Sequence, residues 1–146
     1  MSVFRFHMQS ILDVKEKLEE QARQEFAEAQ NKLTEEQQKL DAIIKRRDDY
    51  IEYGIKLRTE EIDVFEILEN KKSIEHVKEL EKEQRLSVAV AQKAVDAAFK
   101  KMADARVQTK TYAKLRERAF EEFIREENRA ENKQVDELNS YRSAQK

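Results

Sequence analysis

Residues 54–64 of the chain read GIKLRTEEIDV and include its only glycine, Gly54. On both sides of this stretch, apolar residues recur three and four positions apart, which is the spacing of a helix that packs against a second helix. That spacing is lost within the stretch. Thr59 and the two glutamates after it have the pattern of a helix N-cap with acidic residues in the first turn. The sequence therefore predicts that the chain reverses between about Gly54 and Thr59.

The composition predicts a chain that is nearly all helix. It has 146 residues with one glycine and no proline, and it is rich in residues that lose little freedom in a helix, such as Glu, Lys, Gln, Ala, Leu and Arg. A sheet protein needs turn residues roughly every 8–12 positions, and this chain lacks them. Its length fits a single domain, residues 1–146.

The charges nearly balance, with 29 Lys and Arg against 31 Asp and Glu. Such a balance gives no large field of one sign, so we expect no nucleic-acid partner. The absence of cysteine excludes disulfides and suits a reducing cytosol. No apolar run approaches the roughly 18 residues that cross a bilayer, and the N-terminus MSVFRFHMQS lacks the apolar core of a signal peptide. We therefore expect a soluble, intracellular protein without direct membrane insertion.

The apolar positions of the first half form an interrupted seam. Two successive steps of four at Ala22 and Phe26 predict a stutter, where a supercoil unwinds locally. Lys15, Gln37 and Arg47 interrupt the pattern, and polar residues at such positions cost stability but can fix register. The predicted seam consists of Phe4, Met8, Ile11, Leu18, Ala22, Phe26, Ala29, Leu33, Leu40, Ile44 and Ile51.

The second half has a more regular seam, in which steps of three and four alternate without a break. Alanine occupies four of its positions, so this helix can approach a partner closely. The predicted seam consists of Val88, Ala91, Val95, Ala98, Met102, Ala105, Thr109, Tyr112, Arg116, Ala119 and Phe123.

Two folds bury these seams. The chain can close on itself as an antiparallel hairpin, or it can form one helix of about 200 Å that pairs with a second copy. The hairpin needs no second molecule, so we predict an all-α fold of two long helices in an antiparallel coiled coil, monomeric when isolated. Helix 1 is predicted at about residues 3–54, the apex at about 55–60 and helix 2 at about 61–142.

This register leaves the end of helix 2 without a partner. With the predicted apex, residue i faces roughly residue 118 − i, so Phe4 lies opposite about Lys114. The second helix then overhangs at the C-terminus, beyond roughly residue 116. The overhang contains RAENKQVDELNSYR, residues 129–142, in which Val135, Leu138 and Tyr141 share one helix face.

No constellation in the sequence indicates catalysis. The two histidines, His7 and His76, would lie far apart in the hairpin. With no cysteine and no Glu-x-x-His or His-x-x-x-His spacing, we expect no metal site. One glycine cannot build a phosphate-binding loop, and a two-helix hairpin has no pocket that would desolvate paired carboxylates. We therefore predict that the protein is not an enzyme and has no cofactor.

Bulky apolar side chains lie on both sides of the predicted apex. A small cluster that tightens the apex explains them as well as a docking site does, and both interpretations remain open at this point. The residues are Tyr50, Tyr53, Phe65, Ile67 and Leu68.

Both ends of the chain resemble the FliJ family of the bacterial flagellar export apparatus. The start VFRFHMQSILDVKEKLEEQARQEFAEAQNKL, residues 3–33, is similar to the family's opening, with alternating phenylalanines at Phe4 and Phe6 before a long Glu/Ala/Gln helix. The end RAENKQVDEL is similar to the family's Glu/Asn/Arg-rich terminal helix, whose acidic pair is here Asp136 and Glu137. The resemblance covers the whole chain.

The resemblance implies a function in flagellum biogenesis by type III protein export, and through it in motility and chemotaxis. It implies a stalk-like, antiparallel coiled coil, similar to the central stalk of rotary ATPases. The implied partners are the export ATPase and its regulator, the cytoplasmic domain of the export gate, and export chaperones. The implied location is the cytoplasm, with peripheral association at the export apparatus of the inner membrane.

The same resemblance implies two sets of partner-binding residues. Those on the ATPase side are Arg129, Glu131, Val135, Asp136, Glu137 and Leu138. Those on the export-gate side are Ile43, Tyr50, Val77 and Leu80. The chain departs from the family's pattern close to the second set, where Arg46, Ser73 and Gln84 are polar. Two other functions remain open from the sequence: a stalk protein of a virulence injectisome, and a structural coiled-coil spacer.

Overall fold

The structure, a computed structural model, describes residues 2–145. Two helices make up nearly all of this range: α1, Gln9–Thr59, and α2, Val64–Ala144. Residues 60–63 connect them, and the described range contains no strand. The two helices pack against each other as a hairpin, so the all-α fold predicted from the sequence is confirmed.

The chain divides into two compact units. The turn unit is Ala22–Lys101, and the terminal unit consists of Met1–Gln21 and Met102–Lys146. Each unit contains a segment of α1 and an antiparallel segment of α2.

The connection between the helices lies after Thr59 and not before it. Thr59 is the last residue of α1, where its hydroxyl donates a 3.0 Å hydrogen bond to the carbonyl of Lys56. The N-cap of α2 is Asp63, whose Oδ1 accepts a 2.9 Å hydrogen bond from the backbone N–H of Phe65. These bounds differ from the predicted ones, because α1 continues through the expected apex at about 55–60.

The sequence did contain a signal for the true start of α2. Asp63 is followed three positions later by Glu66, which is the spacing of a capping box at a helix N-terminus. The prediction used the threonine and the two glutamates a few positions earlier, which have a similar but weaker pattern.

Gly54 lies inside α1, where it is buried, and its φ is not positive. Its missing side chain makes room for α2: a Cβ at this position would overlap Oδ1 of Asn70. Asn70 is only 7% exposed, and its Nδ2 donates a 2.9 Å hydrogen bond to the backbone carbonyl of Tyr50. The glycine therefore serves the close approach of two helices and not a turn.

In the turn unit, the covered face of α1 follows an unbroken alternation of steps of three and four. The stutter predicted at Ala22 and Phe26 is wrong, since Leu18, which defined it, is exposed. The prediction missed Glu36, which is buried, and took its exposed neighbour Gln37 as a seam position. The residues of this series are Ala22, Phe26, Ala29, Leu33, Glu36, Leu40, Ile43, Arg47, Tyr50, Gly54 and Leu57, and Ile44, next to Ile43, is half-buried as well.

The seam predicted for the second half is confirmed with one exception. Every position from Val88 to Phe123 in that series is buried or half-buried apart from Arg116, which is exposed. The small side chain of Ala91 is 5% exposed, as expected where two helices approach closely.

In the terminal unit the register differs from the predicted one. The ring of Phe4 meets that of Phe120 edge to face, with centroids 5.2 Å apart, and lies 5.5 Å from that of Phe123. The prediction placed Phe4 opposite Lys114, six residues before Phe120, because its apex was too early. The overhang therefore begins after Glu127, the last half-buried residue of α2, and not near residue 116.

The N-terminal residues before α1 also belong to this packing. Phe6 is buried, and its carbonyl accepts a 3.0 Å hydrogen bond from the backbone N–H of Gln9 at the start of α1. The guanidinium of Arg116 lies 5.4 Å from the centre of the Phe4 ring, a cation–π contact. No helix in the described range is long and apolar enough to cross a membrane.

Candidate partner-binding surfaces

The last part of α2 is helical but uncovered. Every described side chain from residue 128 onward is exposed, although the helix continues to Ala144. We call residues 128–145 the C-terminal segment. Most helical stability in proteins comes from tertiary packing, which this end of α2 lacks, so a partner that covers its apolar side chains would stabilise it.

The C-terminal segment has one apolar face. Val135, Leu138 and Tyr141 are 53%, 57% and 62% exposed. Since each residue turns an α-helix by about 100°, these three side chains lie within one third of its circumference. Glu131 lies on the same face, and Leu138 lines a shallow groove with Gln134 and Glu137.

The structure separates the six residues of the predicted ATPase side. Glu131, Val135 and Leu138 share the apolar face, while Glu137 lies at its edge. Arg129 and Asp136 lie on nearly the opposite side of the helix, because they are about 160–180° from the centre of that face. Arg129 instead lines a polar groove with Glu122, Arg125 and Glu126. A partner helix on the apolar face would reach Glu137 but not Asp136.

The four residues of the predicted export-gate side differ in how deeply they are buried in the turn unit. Val77 is 1% exposed, so its side chain packs between the helices and offers no surface to a partner. Ile43, Tyr50 and Leu80 are half-buried, so each combines packing within the hairpin with an accessible edge.

A groove beside the turn gathers most of the apolar residues noted near the predicted apex. It is open, with a volume of about 200 Å³. We call it the turn groove. Tyr53 and Phe65 are 50% and 69% exposed in it, so these rings contribute less to the interior than to the surface. The residues that line it are Tyr50, Tyr53, Phe65, Glu66, Glu69, Asn70 and Ser73.

A charged residue lies in the seam of the turn unit. The carboxylate of Glu36 lies 3.0 Å from Nζ of Lys32, and it accepts a 2.5 Å hydrogen bond from Nε2 of Gln84 on α2. The same Nε2 lies 2.9 Å from the backbone carbonyl of Glu36. The hydrogen bonds from Lys32 and Gln84 hold the pKa of Glu36 below its ordinary value.

A second polar pair crosses the same seam. Nη1 of Arg47 on α1 lies 2.5 Å from Oε1 of Glu81 on α2, and both side chains are largely covered. The sequence analysis placed Arg47 in the seam as a polar interruption of the kind that can fix register. Charged residues that pair across a seam restrict its register, because a shift along the helix would leave each charge without its partner.

Among the described residues, no group of three or more His, Asp or Glu side chains is arranged to hold a metal ion. What the geometry offers is helix surface: the C-terminal segment in the terminal unit and the turn groove in the turn unit.

The family model described as flagellar FliJ protein matches residues 4–146. The chain belongs to the FliJ family. It is therefore a protein associated with flagellar or type III export, in a family of structural components of the export apparatus. The resemblance inferred from Phe4, Phe6 and the acidic pair near the C-terminus is confirmed by this match over nearly the whole chain.

The chain is also similar to a solved structure, that of CT670 from Chlamydia trachomatis, which is described as a homolog of YscO. The two chains are 23% identical, 94% of each is covered, and the TM-score is 0.49. No curated protein matches the chain.

Proposed function

We propose that this member of the FliJ family is a non-enzymatic, stalk-like adaptor in flagellar type III protein export. It binds the export ATPase complex through the C-terminal segment, the cytoplasmic domain of the export gate through the turn unit, and export chaperones during assembly of the flagellum. It works in the cytoplasm, in peripheral association with the export apparatus of the inner membrane.

One observation carries this proposal: α2 continues past Glu127 with an apolar face that the described chain does not cover. A helix with apolar side chains at positions i, i+3 and i+6 is a common element of recognition, because a partner can bury that face in a groove or against another helix. Family membership supplies the apparatus in which such a partner is found.

The turn unit supports the second contact less directly. Leu80, Ile43 and Tyr50 keep accessible edges, and buried Val77 holds the helices together beneath them. On this interpretation Val77 positions the surface and is not part of it.

Removal of the C-terminal segment tests the proposal. A chain that ends at Glu127 keeps the contacts of Phe4 with Phe120 and Phe123, so it should retain the helical circular dichroism and thermal unfolding of the hairpin. It should no longer co-purify with the assembled export ATPase, whereas the full chain should. Undiminished co-purification of the shortened chain would contradict the proposal.

A further inference from the structure

The turn groove combines aromatic rings and carboxylates. Tyr50, Tyr53 and Phe65 line it together with Glu66 and Glu69. Tyr50 and Asn70 also belong to the covered seam, but the rings of Tyr53 and Phe65 are at least half exposed. The cluster is therefore more than a device that tightens the turn.

The charged residues that line this groove, Glu66 and Glu69, are both acidic. Residues 60–69, which read EEIDVFEILE, contain five carboxylates and no basic side chain. Tyrosine and phenylalanine faces are electron-rich and attract cations within about 6 Å of the ring centre. Rings and carboxylates around one groove therefore favour a flat cationic ligand that can pack against an aromatic ring.

We infer that the turn groove binds an arginine side chain presented by a protein partner. The planar guanidinium stacks on aromatic faces and donates paired hydrogen bonds to carboxylates, whereas the lysine ammonium is compact and strongly hydrated. Aromatic rings already attract cations in the terminal unit, where the guanidinium of Arg116 lies 5.4 Å from the ring centre of Phe4 and Nζ of Lys15 lies 5.9 Å from that of Tyr112.

One internal cation competes for this groove. Nζ of Lys72 lies 3.8 Å from Oε1 of Glu69, but the two side chains are 75% and 55% exposed. An exposed pair of this kind contributes little free energy, so an incoming guanidinium can displace it. The assignment of the partner to the export apparatus rests on the proposed function, whereas the recognition of arginine does not.

The experiment is an NMR titration of the full chain labelled with ¹⁵N. The probe is N-acetyl-arginine methylamide, and the comparison compounds are the citrulline analogue, which is neutral and of similar shape, and the lysine analogue. We expect the arginine probe to shift the resonances of residues that line the turn groove, and the citrulline analogue to leave them unchanged. The lysine analogue should bind at least about fivefold more weakly.

Two variants localise the site. The double variant Glu66→Gln, Glu69→Gln should weaken binding of the arginine probe at least about fivefold, because the charge-assisted hydrogen bonds are lost. The double variant Glu79→Gln, Glu83→Gln, at exposed positions of the same helix, removes the same charge elsewhere and should leave binding unchanged. The inference would be overturned by any of three results: equal resonance shifts with the arginine probe and the citrulline analogue, equal affinity for the lysine analogue and the arginine probe, or unaltered binding of the arginine probe by the double variant Glu66→Gln, Glu69→Gln. None of these results bears on the C-terminal segment.

Discussion

The side-chain amide of Asn70 occupies the space that a side chain at Gly54 would need. The two residues lie on different helices of the turn unit, and the amide is held in place by its hydrogen bond to the backbone carbonyl of Tyr50. A small residue on one helix and a polar residue on the other thus fix how closely the helices approach and at which register.

Replacement Gly54→Ala should reveal this relationship. In an exposed helix interior, alanine stabilises by up to about 1 kcal/mol relative to glycine. Here the new Cβ would displace the amide of Asn70 from its acceptor, and a buried amide without a partner costs about 1–3 kcal/mol. We expect a net loss of about 1 kcal/mol in the free energy of unfolding, measured with urea.

The matched control is the pair of replacements Gly54→Ala and Asn70→Ala in one chain. Without the amide, the methyl group at position 54 has room, so the effect of Gly54→Ala should become favourable in this background. If Gly54→Ala stabilises the unaltered chain, the contact does not restrict this position.

Val77 should be important for stability although it lies among the predicted gate-binding residues. Its side chain is 1% exposed, so Val77→Ala removes two buried carbons and should lower the free energy of unfolding by about 1–3 kcal/mol. Val90→Ala makes the same change at a position that is 69% exposed and should alter stability by at most about 0.5 kcal/mol. Thermal unfolding followed by circular dichroism distinguishes the two; equal effects would contradict the packing described.

Glu36 should make stability depend on pH. Its pKa in the folded protein is lowered from 4.5. The ionised carboxylate therefore contributes fully to the free energy of unfolding above its pKa in the unfolded chain, and this contribution is lost as the pH falls through its lower pKa in the folded protein. Glu36→Gln should therefore destabilise the hairpin at pH 7, and its difference from the unaltered chain should shrink below about pH 4.5.

The comparison for this titration is Glu35→Gln, one residue away and exposed. It removes the same charge without removing the bond to Gln84, so it should change the unfolding midpoint little at either pH. A Glu36→Gln chain with the same pH dependence as the Glu35→Gln chain would show that the bonds to Lys32 and Gln84 do not stabilise the fold.

Amide hydrogen exchange should separate the covered and uncovered parts of α2. The side chains after Glu127 have no tertiary packing in the described chain. The backbone amides of these residues should therefore exchange at least about tenfold faster than the backbone amides of residues 102–123. Mass spectrometry of peptic fragments measures both. Equal protection along the terminal unit would mean that the C-terminal segment is covered in solution.

The sequence was sufficient to predict the hairpin, since glycine and proline are nearly absent and the seam from Val88 to Phe123 is regular. It misplaced the register because glycine usually marks a turn, whereas Gly54 accommodates Asn70 across the helix interface. Glu36 was missed as a seam residue, because a charged side chain looks like a surface residue until its partner on the other helix, Gln84, is known. Arg47 was placed in the seam as a polar interruption, but its partner Glu81 was not predicted. The exposure of Val135 and Leu138 followed from hairpin geometry. Their separation from Asp136 follows from the turn of about 100° per residue in a helix, which the prediction did not apply to the residues that it grouped by family resemblance.

Affinity for the assembled export ATPase, compared between two single variants, tests the central proposal most directly. Val135→Asp places a carboxylate on the apolar face of the C-terminal segment, while Ser140→Asp places one on nearly the opposite side of the same helix. We predict that Val135→Asp binds the ATPase at least about tenfold more weakly than the unaltered chain, because burying an unpaired charge costs at least about 1.4 kcal/mol of binding free energy. Ser140→Asp should bind within about twofold of the unaltered chain. Undiminished binding by Val135→Asp would contradict the proposal.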